Sequence, residues 1–196
     1  MACTFMLNNS SNDFINNVVL FPMHVRGNVI LDFLREKDSD TLFDLVIKNH
    51  TYLHRCLFWV DAEAADIKRW VSFFVESHRW KKRKRLDLGI WYQLKLVGTV
   101  CFYDIDLSNQ IAYIGYWIDE KHQGNGIVTA ACSKLLDVGE RQLGLSTFFI
   151  SCAVENYKSQ RVPIRLGFSL YQTIEKEEWL HDHYVDHHVY RLKYSG

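Results

Sequence analysis

The sequence predicts an α+β (mixed α/β) fold, a central twisted mixed sheet flanked by helices. Apolar runs of strand character alternate with helix-period segments in the order βαα βββ α β α ββ. One strand-like run hands over to a helix through a short polar turn in AYIGYWIDEKHQGNGIVTAAC, Ala112 to Cys132. A chain of 196 residues with 48% hydrophobic content also suffices to bury one sizeable core.

Residues 1–27 read as a tail or linker and 28–196 as one domain. The first 17 residues are rich in Asn and Ser, and Val18 to Val25, interrupted by Pro22, reads as an edge strand or a linker remnant. NVILDFLRE reads as a strand. The helix that follows has Asp38 as its candidate N-cap and Leu42, Leu45 and Val46 on one face. From Thr51 to Arg85 the chain reads as helical, with Ile67, Trp70, Val71 and Phe74 at helical spacing, and it ends in the basic run Lys81 to Arg85. LDLGIWYQ and LVGTVCFYDID read as a hairpin turning at Leu94 to Leu96, with QIAYIGYWID beside it. A helix follows the glycine turn, and STFFISCAV, NYKSQRVPIRLG, FSLYQTIEKEEW and YVDHHVYRLKY read as strand, helix, strand, strand.

Twenty-three basic residues balance 23 acidic ones, which leaves no global field for duplex nucleic acid or an anionic membrane, so an anionic ligand must be held locally. Five dispersed cysteines without a CxxC pair argue against a disulfide framework and a zinc site, and fit a reducing cytoplasm. No leader is apparent, and no apolar run approaches the roughly 18 residues of a membrane span.

The handover at Ala112 to Cys132 offers such a local site. A strand entering a helix through Gly124 and Gly126 leaves backbone N–H groups at the positive helix end, where a phosphate fits. The turn is neither the dinucleotide fingerprint nor a P-loop, and alone it reads equally as a plain tight turn.

In context it resembles the GNAT acetyltransferases, and within them the Rim group that acetylates N-termini of ribosomal proteins. The resemblance rests on Ile114 to Trp117, Asp119, Gln123, Gly124, Gly126, Ile127, Thr129, Ala131 and Cys132. It continues through ISCAVENYKSQRVPIRLGF, Ile150 to Phe168, and YVDHHVYRL near the C-terminus. A departure is Lys121, where the broader superfamily favours Gln or Arg. A narrower resemblance is to the Rim-like domain that confers self-immunity to microcin C by acetylating an aminoacyl-nucleotide toxin.

These resemblances imply a GNAT acyl-CoA N-acyltransferase fold in the cytoplasm, without a metal, as a monomer or homodimer. Acetyl-CoA would lie between the strands ending near Ile118 and Ala153. Its contacts would be main chain of Tyr116, Trp117 and Ile118, the turn His122, Gln123, Gly124, Asn125, Gly126 and Ile127, and Asn156. The reaction implied is direct attack of a primary α-amine on the thioester. The amine belongs to a ribosomal-protein N-terminus or a small aminoacyl-nucleotide toxin, the latter an antibiotic-resistance function. An α-amine, near about 7.7 to 8.0, needs less base assistance than a lysine amine near about 10.4. Glu178 falls at the family's general base and Ser159 at the hydroxyl that protonates the departing thiolate. Read without the family, Glu175, Glu177 and Glu178 form a solvated charged turn, and Ser159 and Asn156 cap a helix. A non-catalytic acyl-CoA sensor is the alternative function.

Other motifs have plainer readings. Cys152, in an apolar strand without a His/Asp partner, reads as buried packing. HDHYVDHHVY looks metal-like, but strand alternation turns His183 and His187 one way and His188 the other. The basic run reads as a solvated helix end. Trp59, Trp70, Phe73, Phe74 and Trp80 are core, or in part rings that stack on a planar acceptor group.

Overall fold

The computed structural model describes residues 21–60, 63–76 and 85–194. Residues 1–20 of the tail, Cys3, Trp80 and the first four residues of the basic run lie outside them. An eight-stranded sheet has the order β1-β2-β3-β4-β5-β6-β8-β7. Its strands are β1 (Met23–Arg26), β2 (Val29–Phe33), β3 (Leu86–Tyr92), β4 (Lys95–Asp106), β5 (Ile111–Ile118), β6 (Thr147–Ala153), β7 (Ser169–Leu180) and β8 (His183–Lys193). Neighbours are antiparallel except β5 and β6, which are parallel and joined through α4 (Ile127–Leu143). The remaining helices are α1 (Ser39–Lys48), the one-turn α2 (His50–Leu53), α3 (Ala64–Glu76) and α5 (Tyr157–Arg165).

The expected element order holds, and Met23–Arg26 forms the edge strand that Pro22 allowed at its entry. The sheet therefore begins upstream of residue 28. Other expectations are corrected. The region from Thr51 to Arg85 is not one helical stretch: a 3₁₀ turn at Phe58–Val60 separates α2 from α3. Asp38 occupies the N-cap position of α1 without capping it, because its carboxylate accepts the Arg35 backbone N–H at 2.9 Å. The hairpin turns at Gln93 and Leu94, both with positive φ, the two-residue geometry that matches strand twist.

Two cores sandwich the sheet. Ile127, Ala131, Leu135 and Leu136 of α4 pack with Phe102, Ile114 and Phe148 on one face. Leu42, Leu45 and Val46 of α1 and Ile67, Val71 and Phe74 of α3 pack with Leu96 and Trp117 on the other. Strand alternation allows this double use: along β5, Ala112 and Ile114 enter the first core and Trp117 the second. The second helical layer stops short of β6, β8 and β7, leaving part of that face open to a cleft.

Candidate active site

β5 ends in a glycine turn that opens α4. After the 3₁₀ turn Glu120–His122, Gly124 and Gly126 have φ of 76° and 67°, the left-handed region where a side chain is strained. Gly126 is the N-cap of α4, and no side chain caps that end. The first-turn N–H groups of a 17-residue helix thus meet the cleft beside two residues, Gly124 and Gly126, that carry no side chain. A Cβ on Gly126 would lie 2.7 Å from Nη2 of Arg26, whose guanidinium donates to the Asn125 carbonyl at 2.7 Å. The Asn125 amide donates to the carbonyls of His122 and Gln123, and Lys158 Nζ donates to Gln123 Oε1 at 3.2 Å. Ile127 is buried and anchors the helix start.

The turn is rooted at Asp119. Its buried carboxylate accepts from Lys48 Nζ at 2.8 Å, and His122 Nδ1 lies 3.1 Å from the same oxygen. Burial pushes this carboxyl up, but Lys48 and Asn49 outweigh it and hold it below its ordinary value.

Beyond the turn the sheet opens. β5 and β6 pair only from Ile111–Tyr113 to Thr147–Phe149, so Tyr116, Trp117 and Ile118 lie past their last shared residue pair. Main chain facing such a wedge has room for an extended ligand backbone. Behind it β4 comes very close: a Cβ on Gly98 would stand 2.2 Å from the Trp117 carbonyl oxygen. The Trp117 indole is buried in the second core. Because the Asp119 N–H donates to the Val97 carbonyl in the same register, strand alternation turns the Trp117 main chain to β4 as well, leaving Tyr116 and Ile118 to face the gap. The Ile118 carbonyl accepts the Tyr52 hydroxyl, which removes it from the backbone groups expected to be free.

Consecutive residues of β6 carry different chemistry on opposite faces. On the α5 side, Cys152 Sγ lies 3.3 Å from Ser159 Oγ, which donates to the Tyr116 hydroxyl at 3.1 Å. The phenol in turn donates to the Ser159 carbonyl at 2.9 Å. Asn156 is the N-cap of α5 and accepts the Ser159 N–H at 3.1 Å. Burial pushes both the Tyr116 phenol and the Cys152 thiol up, so this cluster is a set of protonated hydroxyl and thiol groups. On the opposite face Ser151 Oγ lies 2.9 Å from His187 Nδ1, and His187 Nε2 is 3.2 Å from Glu178 Oε2. Glu178 therefore lies in a strand beside an imidazole rather than in a solvated turn.

Both groups border one cleft of about 2460 Å³, whose lining also includes Tyr52, His54, Trp59, Trp70 and Tyr184. Trp59 and Phe74 are core residues that form its wall, while Phe58, edge-on to Trp70 and 50% exposed, presents an open ring. The histidines of the C-terminal run have separate partners: His181 stacks on His54, His183 meets Asp182, His187 meets Ser151, and His188 meets Thr173. Among the described residues no group of three or more His, Cys, Asp or Glu side chains could hold a metal ion. No described helix is long and apolar enough to cross a membrane. Sequence reasoning missed Arg26, Tyr52, Ser151 and Phe58, and for His187 it gave only its face.

A family model described as an acetyltransferase (GNAT) domain matches residues 28–169. A ribosomal-protein-serine acetyltransferase of Escherichia coli is 34% identical over 163 residues, 82% of this chain and 89% of that protein. Among solved structures, RimL, a ribosomal L7/L12 alpha-N-protein acetyltransferase in complex with coenzyme A, superimposes with a TM-score of 0.81 at 28% identity, covering 88% of this chain and 97% of RimL. The microcin C7 self-immunity acetyltransferase MccE, in complex with acetyl-CoA and AMP, gives 0.79 at 28% identity over 90% of this chain and 98% of MccE.

Proposed function

Given that the chain belongs to the GNAT acetyltransferase family and is an acetyl-CoA-dependent N-acetyltransferase, we propose that its acceptor is a primary α-amine, that of a ribosomal-protein N-terminus. This acceptor is favoured by the likeness to a ribosomal-protein-serine acetyltransferase, and the transfer chemistry by the disposition of Ser159 and Glu178 about β6. Adjacent residues Cys152 and Ser151 direct a hydroxyl donor to one face and a carboxylate to the other, beside the gap where β5 and β6 part.

Each residue then has a role. Acetyl-CoA supplies an activated thioester carbonyl. The glycine turn from His122 to Ile127 holds its diphosphate with backbone N–H groups, and main chain of Tyr116 borders its extended arm. Glu178 takes a proton from the amine, directly or through water, a contribution of about 10² to 10⁴-fold. Ser159, with Tyr116 beside it, delivers a proton to the departing sulfur. The amine attacks directly, because a buried Cys152 thiol with a raised pKa is a poor nucleophile at neutral pH.

Residues 28–196 form the proposed catalytic domain, with Arg26 of β1 reaching its turn from upstream. It works in the cytoplasm, as a monomer or homodimer. A second acceptor class, a small aminoacyl-nucleotide, is favoured by the open Phe58 and Tyr184 rings at the cleft, which suit a planar base.

Incubation with acetyl-CoA and two panels, ribosomal-protein N-terminal peptides and aminoacyl-sulfamoyl adenosines, tests this by thiol release and product mass. Acetylated peptides are expected. Preference for the nucleotides would replace the protein acceptor by the small one. Glu178→Gln should slow turnover with coenzyme A binding intact, and full activity in that variant would remove Glu178 as base.

A further inference from the structure

We propose that His187 is a positioning residue for the transfer reaction: oriented by Ser151, it holds one carboxylate oxygen of Glu178 and leaves the other for the incoming amine. This rests on the reading of Glu178 as the base.

The arrangement arises from strand register. β6 and β8 pair with Ala153 opposite His187 and Ser151 opposite Val189, which makes Ser151 and His187 diagonal neighbours on one face. β8 and β7 pair with His187 opposite Ile174 and Val185 opposite Glu178. Between those pairs β7 advances by four residues and β8 by two, so β7 carries two extra residues. Regular pairing from Ile174 would have put Lys176 opposite Val185. The bulge sets Lys176 at φ 52°, with its N–H donating to Asp186 Oδ1 at 2.8 Å, and brings a glutamate to His187 instead of a lysine.

The proton arrangement follows from the partners. Nε2 of His187 is buried without a hydrogen bond of good angle, and Glu178 Oε2, at ion-pair distance, is placed to satisfy it. A carboxylate is acceptor-only, so Nε2 must carry the proton; in a neutral ring Nδ1 is then the acceptor and the Ser151 hydroxyl the donor. Each of the three strands contributes one member, and the imidazole side chain is only 14% exposed. A carboxylate held at one oxygen presents the other in a fixed direction, which a base needs in order to meet its proton within hydrogen-bond reach.

The test uses the full chain and a ribosomal-protein N-terminal peptide, with Glu178→Gln, His187→Leu, His187→Gln and Ser151→Ala. In His187→Leu, kcat is expected to fall about ten- to hundredfold, the loss typical of a hydrogen bond to a charged group. Coenzyme A affinity by calorimetry should stay unchanged. His187→Gln, which keeps an N–H donor, should recover most of that loss. Imidazole ¹⁵N shifts should show the proton on Nε2 in the native protein and a mixture of tautomers in Ser151→Ala. If Glu178→Gln is slow while His187→Leu turns over like the native enzyme, the base reading stands and the positioning role is overturned. If Glu178→Gln is fully active, the base reading itself fails. A native ring protonated on Nδ1 alone also overturns the proposal, whatever the kinetics.

Discussion

Lys48 Nζ lies 2.8 Å from Oδ2 of Asp119, a carboxylate whose side chain is 3% exposed. The pair fastens the end of α1 to the root of the glycine turn. Lys48→Met should cost about 1–3 kcal/mol, because the buried carboxylate loses its charged donor while the ammonium was itself half in water. The sign with pH follows from the lowered carboxyl. Its stabilisation is fully present above the unfolded pKa of about 3.9 and is lost as pH falls through the lower folded value. Thermal melts of both proteins should therefore differ at neutral pH and converge in acid; a difference that ignores pH would contradict the pairing.

Gly126→Ala places a Cβ against Arg26 in a left-handed backbone. A stability loss of about 1–2 kcal/mol is expected from the conformation alone. Coenzyme A affinity should fall by about tenfold or more, because the first N–H groups of α4 are displaced. Calorimetric titration checks this, and unchanged affinity would mean the turn does not touch the ligand.

Asn156→Ala removes the acceptor for the Ser159 N–H, at an expected cost of about 0.5–2 kcal/mol. Because the same residue positions the proposed acid, kcat should fall beyond what instability explains. Asn156→Asp keeps the cap and should restore the melting temperature. Melting and steady-state turnover, measured on the same preparations, separate the two effects.

Cys152→Ala should turn over within a few-fold of the native enzyme. The native thiol should alkylate slowly at neutral pH, since burial keeps it protonated. Intact-protein mass after rapid mixing with acetyl-CoA checks the mechanism, because an acetylated Cys152 accumulating before product would replace direct attack by a covalent route.

The element order was legible because periodicity reports which residues face a core. Leu42, Leu45 and Val46, or Ile67, Val71 and Phe74, needed no more than helical spacing. Alternation likewise put His187 and His188 on opposite faces. Register was not legible: nothing local tells that β7 extrudes two residues, and this decides whether Lys176 or Glu178 stands opposite Val185. Arg26 and Asn125, 99 residues apart, meet only because β1 and the turn converge at one end of the sheet. Glu178, Ser159 and Tyr116 came from likeness to a family, whereas the contact of Ser159 with the Tyr116 hydroxyl and that of Glu178 with His187, itself bonded to Ser151, emerged from the fold.

The brief pairing of β5 with β6 also bears on how the molecule comes apart. Three residue pairs stitch one five-stranded half of the sheet to a three-stranded half, and past Tyr113 and Phe149 the seam is open. A ligand lodged there ties the halves together from outside the polypeptide. At a hundredfold excess over Kd, it adds about 2.7 kcal/mol to folding by mass action. The Ala153 amide, on the side of β6 away from β8, should thus exchange far more slowly with coenzyme A present than without it, making the co-substrate a structural member of the sheet for as long as it stays.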